Sequence, residues 1–345
     1  MKTHAIIPIF IPHLGCPNDC VFCNQKKITA KTAPLSKEDM VNMIEKYLKT
    51  ISGRGIKTVE IAFYGGSFTG IPIKQQQEYL SIAKVYKDKG LIQKIHLSTR
   101  PDYIDDAILT NLKLYDVDII ELGVQSFDED VLLLSNRGHS RDVVYSSSRL
   151  IQDYGFELGL QLMISLPGDT YEKSINSAKE AVKIGPSIAR LYPTVIIKDT
   201  ELYEMYLRGE YTPLSLEDTI RTTKDMYLIL TNAGINVIRI GLKSTDLINE
   251  NGEIAGGYHP AFRQLVESEI AREQMEAQLL PFLSQARVIA FYSNGTSFSN
   301  MIGNRKFNRI YFEKKYPHVR FTFHVDSNLP DHVYLLKIPE HATNG

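Results

Sequence analysis

Short apolar runs alternate with amphipathic segments from the N-terminus to about residue 240, and this alternation limits the fold more than any other feature. Apolar residues recur three and four positions apart in the segments at 36–50, 74–89, 103–114, 141–154 and 171–184, which is typical of helices. Strands that each lead into a helix require right-handed crossovers and a parallel sheet. We therefore predict an α/β fold, a partial (β/α)6 TIM-like barrel over residues 1–240, with functional residues at the C-terminal ends of the strands. The predicted strands are Ala5–Phe10, Thr58–Tyr64, Lys94–Ser98, Val117–Leu122, Leu158–Ile164 and Ile188–Ile197.

The pattern changes after residue 240, and we predict a smaller C-terminal α/β lobe over residues 241–345. Helix-type stretches cover 261–280 and 296–316, and strand-type runs cover 286–292, 320–325 and 333–338. Between Arg305 and Arg320, basic residues are interleaved with aromatic ones, a pattern that can bind phosphates and stack bases. The helical spacing of the aromatics favours the alternative, an amphipathic helix whose rings face the core and whose charges are solvated.

Charge and hydropathy exclude two classes of protein. The chain has 39 Lys+Arg against 40 Asp+Glu, which excludes a globally basic nucleic-acid coat but not a local basic patch. No apolar run approaches the roughly 18–20 residues of a membrane span. The first apolar run contains Pro8, and no small-residue cleavage site of a signal peptide follows it. We expect a cytoplasmic protein without a membrane partner.

All three cysteines lie within eight positions, as Cys16, Cys20 and Cys23, directly after the first predicted strand. An odd, crowded set indicates a metal site rather than a disulfide framework. Three thiolates can hold three corners of an iron–sulfur cube and leave one iron open, whereas electron-transfer clusters take four cysteines. Structural zinc also takes four ligands, and His13 could supply the fourth. The spacing alone leaves both sites open.

The C-x3-C-x2-C spacing, with Phe22 before the third cysteine, resembles the motif of the radical S-adenosylmethionine (SAM) superfamily. In that family the open iron chelates SAM, and an electron from the cluster releases a 5′-deoxyadenosyl radical that abstracts hydrogen from substrate. The resemblance implies that Cys16, Cys20 and Cys23 bind a [4Fe–4S] cluster, that Phe22 lies in the cofactor site, and that SAM is the second cofactor. It also implies an external one-electron donor of the flavodoxin or ferredoxin type.

Further motifs follow at the predicted strand ends. The segment FYGGSFTG (63–70) resembles the family's Gly-Gly-Glu element, with Ser67 in place of Glu; Gly65 and Gly66 let the backbone approach a ligand. The segments STRPDYI, ELGVQSF, MISLPGDT and RLYPTVIIKDTELYEMY resemble the branch shared by anaerobic coproporphyrinogen oxidase and the Elongator complex protein 3-like family, the latter more specifically. In that branch the residues that match four positions here line the SAM pocket: Ser98, Gln125, Arg137 and Gln161.

The resemblance to the Elongator-like family implies a tRNA nucleoside as substrate, with the wobble uridine first. Two alternatives stay open: a coproporphyrinogen oxidase-like radical enzyme, and a non-enzymatic RNA-binding module stabilised by zinc or a cluster. Full-length family members carry a C-terminal acetyltransferase domain. The residues after 240 contain no recognisable acetyl-CoA phosphate-binding loop, so we do not expect this chain to transfer acetyl groups.

Overall fold

The computed structural model describes residues 3–11, 20–23, 35–242, 255–283 and 287–339. Its main feature is a seven-stranded parallel sheet in the order β1-β2-β3-β4-β5-β6-β8, curled into a half barrel. This confirms the predicted α/β class and partial barrel, with one strand more than the six expected. The strands are β1 His4–Ile11, β2 Thr58–Gly65, β3 Lys94–Thr99, β4 Ile119–Gln125, β5 Glu157–Ile164, β6 Ile188–Pro193 and β8 Asn236–Ile240.

Helices follow the strands and cover the outer face of the sheet. The first begins as the sequence suggests, because the Ser36 side chain accepts a hydrogen bond from the Asp39 N–H. The second ends at Asp88, and Gly90 follows in the left-handed region with φ +70°. The helices are α1 Lys37–Ile51, α2 Ile73–Asp88, α3 Asp106–Leu114, α4 Glu129–Leu134, α5 Arg141–Asp153, α6 Tyr171–Ile184, α7 Glu201–Leu207 and α8 Leu216–Asn232.

Each strand directs alternate side chains to opposite faces. Ile7, Ile9 and Ile11 of β1 are fully buried against the helices, with 0–1% exposure. In β5, Gln161 and Met163 point to the concave face and are only half-buried, between the buried Leu160, Leu162 and Ile164. The hydrophobic core therefore lies between sheet and helices, and the concave face is free to carry polar groups.

The concave face holds a buried ionic network. Arg190 Nε donates to Glu121 Oε2 at 2.6 Å, and the Ser98 hydroxyl donates to Glu121 Oε1 at 3.1 Å. The His96 ring lies between two carboxylates, with Nδ1 3.4 Å from Glu60 and Nε2 3.7 Å from Glu121. Since an unpaired buried charge is costly, Arg190 and Glu121 depend on each other. This network forms the layer below the strand ends.

The C-terminal lobe has a three-stranded sheet in the order β11-β10-β12 and its own apolar core. Its longest helix belongs to both cores: Phe262 and Val266 pack into the main core, and Met275 and Leu279 into that of the lobe. The boundary at 240/241 stays a prediction. The elements are β7 Val195–Ile196, which pairs with β9 Ala255–Gly256, then α9 Phe262–Leu279, β10 Val288–Ser293, α10 Phe298–Ile302, α11 Phe307–Lys315, β11 Arg320–Val325 and β12 Leu335–Lys337.

The helix predicted over 296–316 is wrong as a single element, because the chain turns at Gly303. This glycine has φ +80°, and a Cβ there would lie 2.7 Å from the Asn308 backbone nitrogen.

Among the described residues, no helix combines the length and apolar character that a bilayer crossing needs.

Candidate cofactor site

A cavity of about 270 Å³ opens where the strands of the main sheet end. Every predicted site residue that the structure describes lines it; Cys16, and His13 as the zinc alternative, lie outside the described residues. Residues that are far apart in sequence meet here because parallel strands end on the same side of the sheet. The predicted residues in the lining are Cys20, Phe22, Cys23, Gly65, Gly66, Ser98, Gln125, Arg137 and Gln161.

Gly65 ends β2 in a position that only glycine fits. Its φ is +107°, and a Cβ would lie 2.6 Å from the carbonyl oxygen of Ile11, a separation that real Cβ atoms do not show. The same oxygen accepts a hydrogen bond from the Gly66 N–H at 3.3 Å. Because Ile11 is the last residue of β1 and the cysteine segment follows it, these two glycines fix where that segment starts.

Cys20 is buried, and two guanidinium groups face its sulfur. Arg137 Nη1 lies 3.4 Å and Arg100 Nη1 4.0 Å from Cys20 Sγ. Arg100 is itself held by a two-point contact with Asp102, at 2.8 and 2.9 Å, and donates to the Arg137 carbonyl oxygen at 2.6 Å. Positive charge beside the sulfur is complementary to a thiolate or an anionic cluster.

Sequence reasoning missed Arg100, although it lies in the STRPDYI segment quoted above. The segment pointed to Ser98 because that residue matches the family pocket, whereas the contact of Arg100 with a cysteine 80 positions earlier depends on the fold. The only sign of this role in the sequence was a positively charged residue at the end of a predicted strand.

Gln125 lies at an irregularity of β4 and has a left-handed φ of +72°. Non-glycine residues in this region are strained, and such strain gathers at functional sites. The Gln161 amide donates to Gln125 Oε1 at 3.3 Å, which orients both amides at the cavity. Arg137 donates to the Gly123 carbonyl oxygen, and a Cβ on Gly123 would lie 3.0 Å from that guanidinium. Backbone and side chains together fix the polar wall.

His139 is buried behind this wall. Burial and the neighbouring positive charge of Arg137 lower the pKa of His139 to about 4. The ring is therefore neutral near pH 7 and adds no third positive charge. His259, which precedes α9, has a local structural role, because its Nδ1 accepts a hydrogen bond from the Ala261 N–H at 3.0 Å.

One part of the cavity wall is apolar, which no motif in the sequence indicated. Met163, Val195, Ile197 and Leu242 form most of it, together with the Tyr192 ring. The Tyr192 hydroxyl accepts a hydrogen bond from Arg190 at 3.3 Å, which connects this wall to the ionic network below. A ligand that fits the whole cavity carries both polar or charged groups and apolar surface.

These residues fit a cluster and SAM. Cys20 and Cys23 offer thiolates, the ends of β1 and β2 offer backbone at close approach, and Arg137 offers a guanidinium that can hold a carboxylate. The two amides can satisfy ribose hydroxyls. Among the described residues, no three His, Cys, Asp or Glu side chains come together as a metal site, and the motif's first cysteine falls outside them.

Comparison with known families decides the assignment. The model of the Radical SAM superfamily matches residues 10–181, and that of the Radical_SAM C-terminal domain matches residues 186–272. The chain belongs to the radical SAM superfamily. It is therefore a radical SAM enzyme whose cofactors are a [4Fe–4S] cluster and SAM.

Relatives of this radical SAM enzyme include Elongator-like proteins. An uncharacterized protein of Methanocaldococcus jannaschii is 30% identical over 60% of this chain and 66% of its own. A tRNA uridine(34) acetyltransferase of Methanocaldococcus infernus is 28% identical over 63% of this chain and 48% of its own. Human Elongator complex protein 3 is 31% identical over 49% of this chain and 34% of its own. The chain thus spans half or less of the named Elongator-type relatives.

The solved structure of archaeal Elp3 from Methanocaldococcus infernus, with an N-terminal deletion, superposes with a TM-score of 0.62. The match covers 79% of this chain and 64% of the other at 20% identity, which shows a shared fold. The predicted resemblance to Elongator-like radical SAM proteins is confirmed, and what those longer proteins do as a whole is a separate matter.

Proposed function

We propose that this radical SAM enzyme modifies a tRNA nucleoside, with the wobble uridine as the first candidate. The observation that carries the proposal is the single cavity in which two motif cysteines meet the glycine, amide and guanidinium groups expected of an Elongator-like pocket. The relatives named tRNA uridine(34) acetyltransferase support the substrate class. An external one-electron donor and a cytoplasmic location belong to the same proposal.

In this proposal Cys16, Cys20 and Cys23 are the cluster ligands. Gly65 and Gly66 direct backbone groups to the amino group of SAM, and Arg137 holds its carboxylate. The amides of Gln125 and Gln161 and the Ser98 hydroxyl form hydrogen bonds with the adenosine part of SAM. Phe22 packs beside the same part. When bound, the two cofactors supply a 5′-deoxyadenosyl radical.

The protein's own contribution is orientation and the exclusion of water. The Cys20 sulfur is buried, and Arg100 is 2% exposed, so charge at this end of the cavity is screened little by solvent. The apolar residues around Met163 disfavour water on their part of the cavity. A substrate base that enters past these residues faces the cofactor pocket.

The ligand assignment is tested with Cys20→Ala after anaerobic reconstitution. The variant should lose the cluster's iron and sulfide and form no 5′-deoxyadenosine under reducing conditions, while its circular dichroism stays close to wild type. Ser148→Ala, at another buried position outside the cavity, is the matched control and should keep both. Full activity in Cys20→Ala, or one zinc without sulfide in the wild-type protein, contradicts the assignment.

The substrate is tested by incubating the reconstituted enzyme, SAM and a reductant with bulk tRNA, followed by nucleoside mass spectrometry. We expect a new or depleted uridine derivative that depends on SAM. The same assay with coproporphyrinogen III examines the alternative radical enzyme: a decarboxylated tetrapyrrole with unchanged tRNA nucleosides would refute the tRNA proposal.

A further inference from the structure

A second concave surface lies in the C-terminal lobe, along the outer edge of β11. We call it the basic groove and define it by Phe298, Ile302, Lys306, Arg309, Arg320 and Phe323, all of which line it. Consecutive residues of β11 contribute to the lining, from Arg320 to His324. Neighbouring strand residues point to opposite faces, so a groove that both faces line runs along the strand's edge. Within the described residues β11 pairs with β10 alone, which leaves edge N–H groups to face the groove.

The groove carries excess positive charge. Its one acidic lining residue, Glu313, is paired with Arg309 at 2.8 Å. In the part of the chain that the structure describes, no acidic side chain lies within 4 Å of the Lys306, Arg320 or Arg305 cationic group. These three cations are therefore available to an anion from outside the chain.

Three of the four Phe and Tyr residues between Arg305 and Arg320 have roles within the lobe, and the fourth, Phe307, is exposed. Phe312 is fully buried in the lobe core, and the hydroxyls of Tyr311 and Tyr316 donate to Glu276. Lys315 pairs with the same carboxylate at 2.8 Å. As the helical spacing indicated, these rings serve the core. The groups left for a ligand are the unpaired cations and the partly exposed surfaces of Phe298 and Phe323, two rings that line the groove and also pack against the lobe core.

Two exposed cations, Lys306 of the groove lining and its sequence neighbour Arg305, have a strained backbone. Arg305 has φ +49° and Lys306 φ +65°, both left-handed. Residues with a Cβ are strained in this region, and glycine is not. A chain that carries Arg and Lys at two successive left-handed positions keeps charge there at the expense of stability, which is the pattern of a binding site.

We propose that the basic groove binds a single-stranded RNA segment. Phosphates contact Arg305, Lys306 and Arg320, and bases pack against Phe298 and Phe323, because cations and aromatic faces together suit a single strand. The choice of RNA rests on the proposed function, and the charge complementarity rests on the groove alone. An acidic peptide that adds a strand to the β11 edge is the rival occupant.

The test uses the full chain with Arg305→Gly and Lys306→Gly combined, a pair that relieves strain instead of creating it. Binding of a fluorescent 12-nucleotide oligouridine is measured between 50 and 200 mM salt. We expect about tenfold weaker binding at low salt and a slope of log affinity against log salt that is smaller by about 0.7 for each lost phosphate contact. The urea midpoint should be equal to or above wild type.

The charge-matched control is Lys46→Gln with Lys49→Gln, two exposed positions at the end of α1. It should bind oligouridine as wild type does. Equal affinity and salt slope in the groove variant and wild type would overturn the proposal. A second result would also overturn it: the wild-type protein binds an oligoglutamate peptide, and the groove variant loses that binding but still binds oligouridine.

The same variants separate this proposal from the proposed function. Both pairs keep the cavity, so SAM cleavage should be unchanged in both. If tRNA is modified but the groove variant binds oligouridine normally, the groove is wrong and the function stands. If the groove variant loses oligouridine binding but no tRNA nucleoside changes, the groove stands and the substrate assignment fails.

Discussion

Replacing Gly65 by alanine tests the close approach between the first two strands, on which the placement of the cysteine segment depends. The substitution adds a Cβ 2.6 Å from the Ile11 carbonyl oxygen, at φ +107°. The backbone conformation costs about 1–2 kcal/mol, and displacing packed atoms adds about 1–3 kcal/mol. We expect the free energy of unfolding to fall by about 2–5 kcal/mol.

Gly90→Ala is the matched control. Gly90 also has a left-handed φ, +70°, but a Cβ there meets no atom within 4 Å. It should cost about 1 kcal/mol of strain, part of which is offset by the lower entropy of the unfolded chain. The difference between the two variants isolates the contact with Ile11.

The assay is urea unfolding of the anaerobic apoprotein, followed by circular dichroism. A second measurement is the iron bound after reconstitution, which should fall in Gly65→Ala and stay normal in Gly90→Ala because only Gly65 contacts the end of β1. Equal urea midpoints and equal iron contents in the two variants would refute the reasoning that the strand ends fix the cysteine segment.

Two further variants test buried charge. Arg190→Met leaves the Glu121 carboxylate, which is 1% exposed, without its cation and should cost about 3–5 kcal/mol at pH 7. A urea midpoint equal to that of the wild-type protein would contradict this. His139→Gln addresses a histidine whose pKa is lowered to about 4 in the folded protein. Because the unfolded chain binds that proton near pH 6.5, the wild-type protein should lose stability as the pH falls from 6.5 towards 4. The variant should lose less stability over this range. Urea midpoints at pH 7 and pH 5 measure both losses.

Periodicity predicted the main sheet well because six of its strands are continuous apolar runs with clear helices between them. It failed at β8, the segment NVIRI, which is five residues long and contains Arg239. Only the return of the chain through α8 places this segment beside β6. The turn at Gly303 was missed for a related reason, since the residues on both sides of it have helical spacing.

The resemblance to the radical SAM family predicted that Cys20, Gly65 and Gln161 share one site, and the structure places all three in the lining of one cavity. The position of Arg100 beside Cys20 was not predictable, because the sequence separates them by 80 residues. The ionic network is a similar case. Its members lie on four different strands: Glu60, His96, Glu121 and Arg190. Each alone looks like an ordinary polar residue in a strand. Contacts of this kind exist only after the sheet has formed.

The main sheet has seven strands, whereas eight close a TIM barrel. In the described part of the chain, β1 pairs with β2 alone and β8 with β6 alone, so the described strands do not close into a barrel. A closed wall would admit ligands only end-on through its mouth, which suits a small metabolite. Under the proposed function, an open side would let one nucleoside of a tRNA reach the interior while the rest of the polymer stays outside.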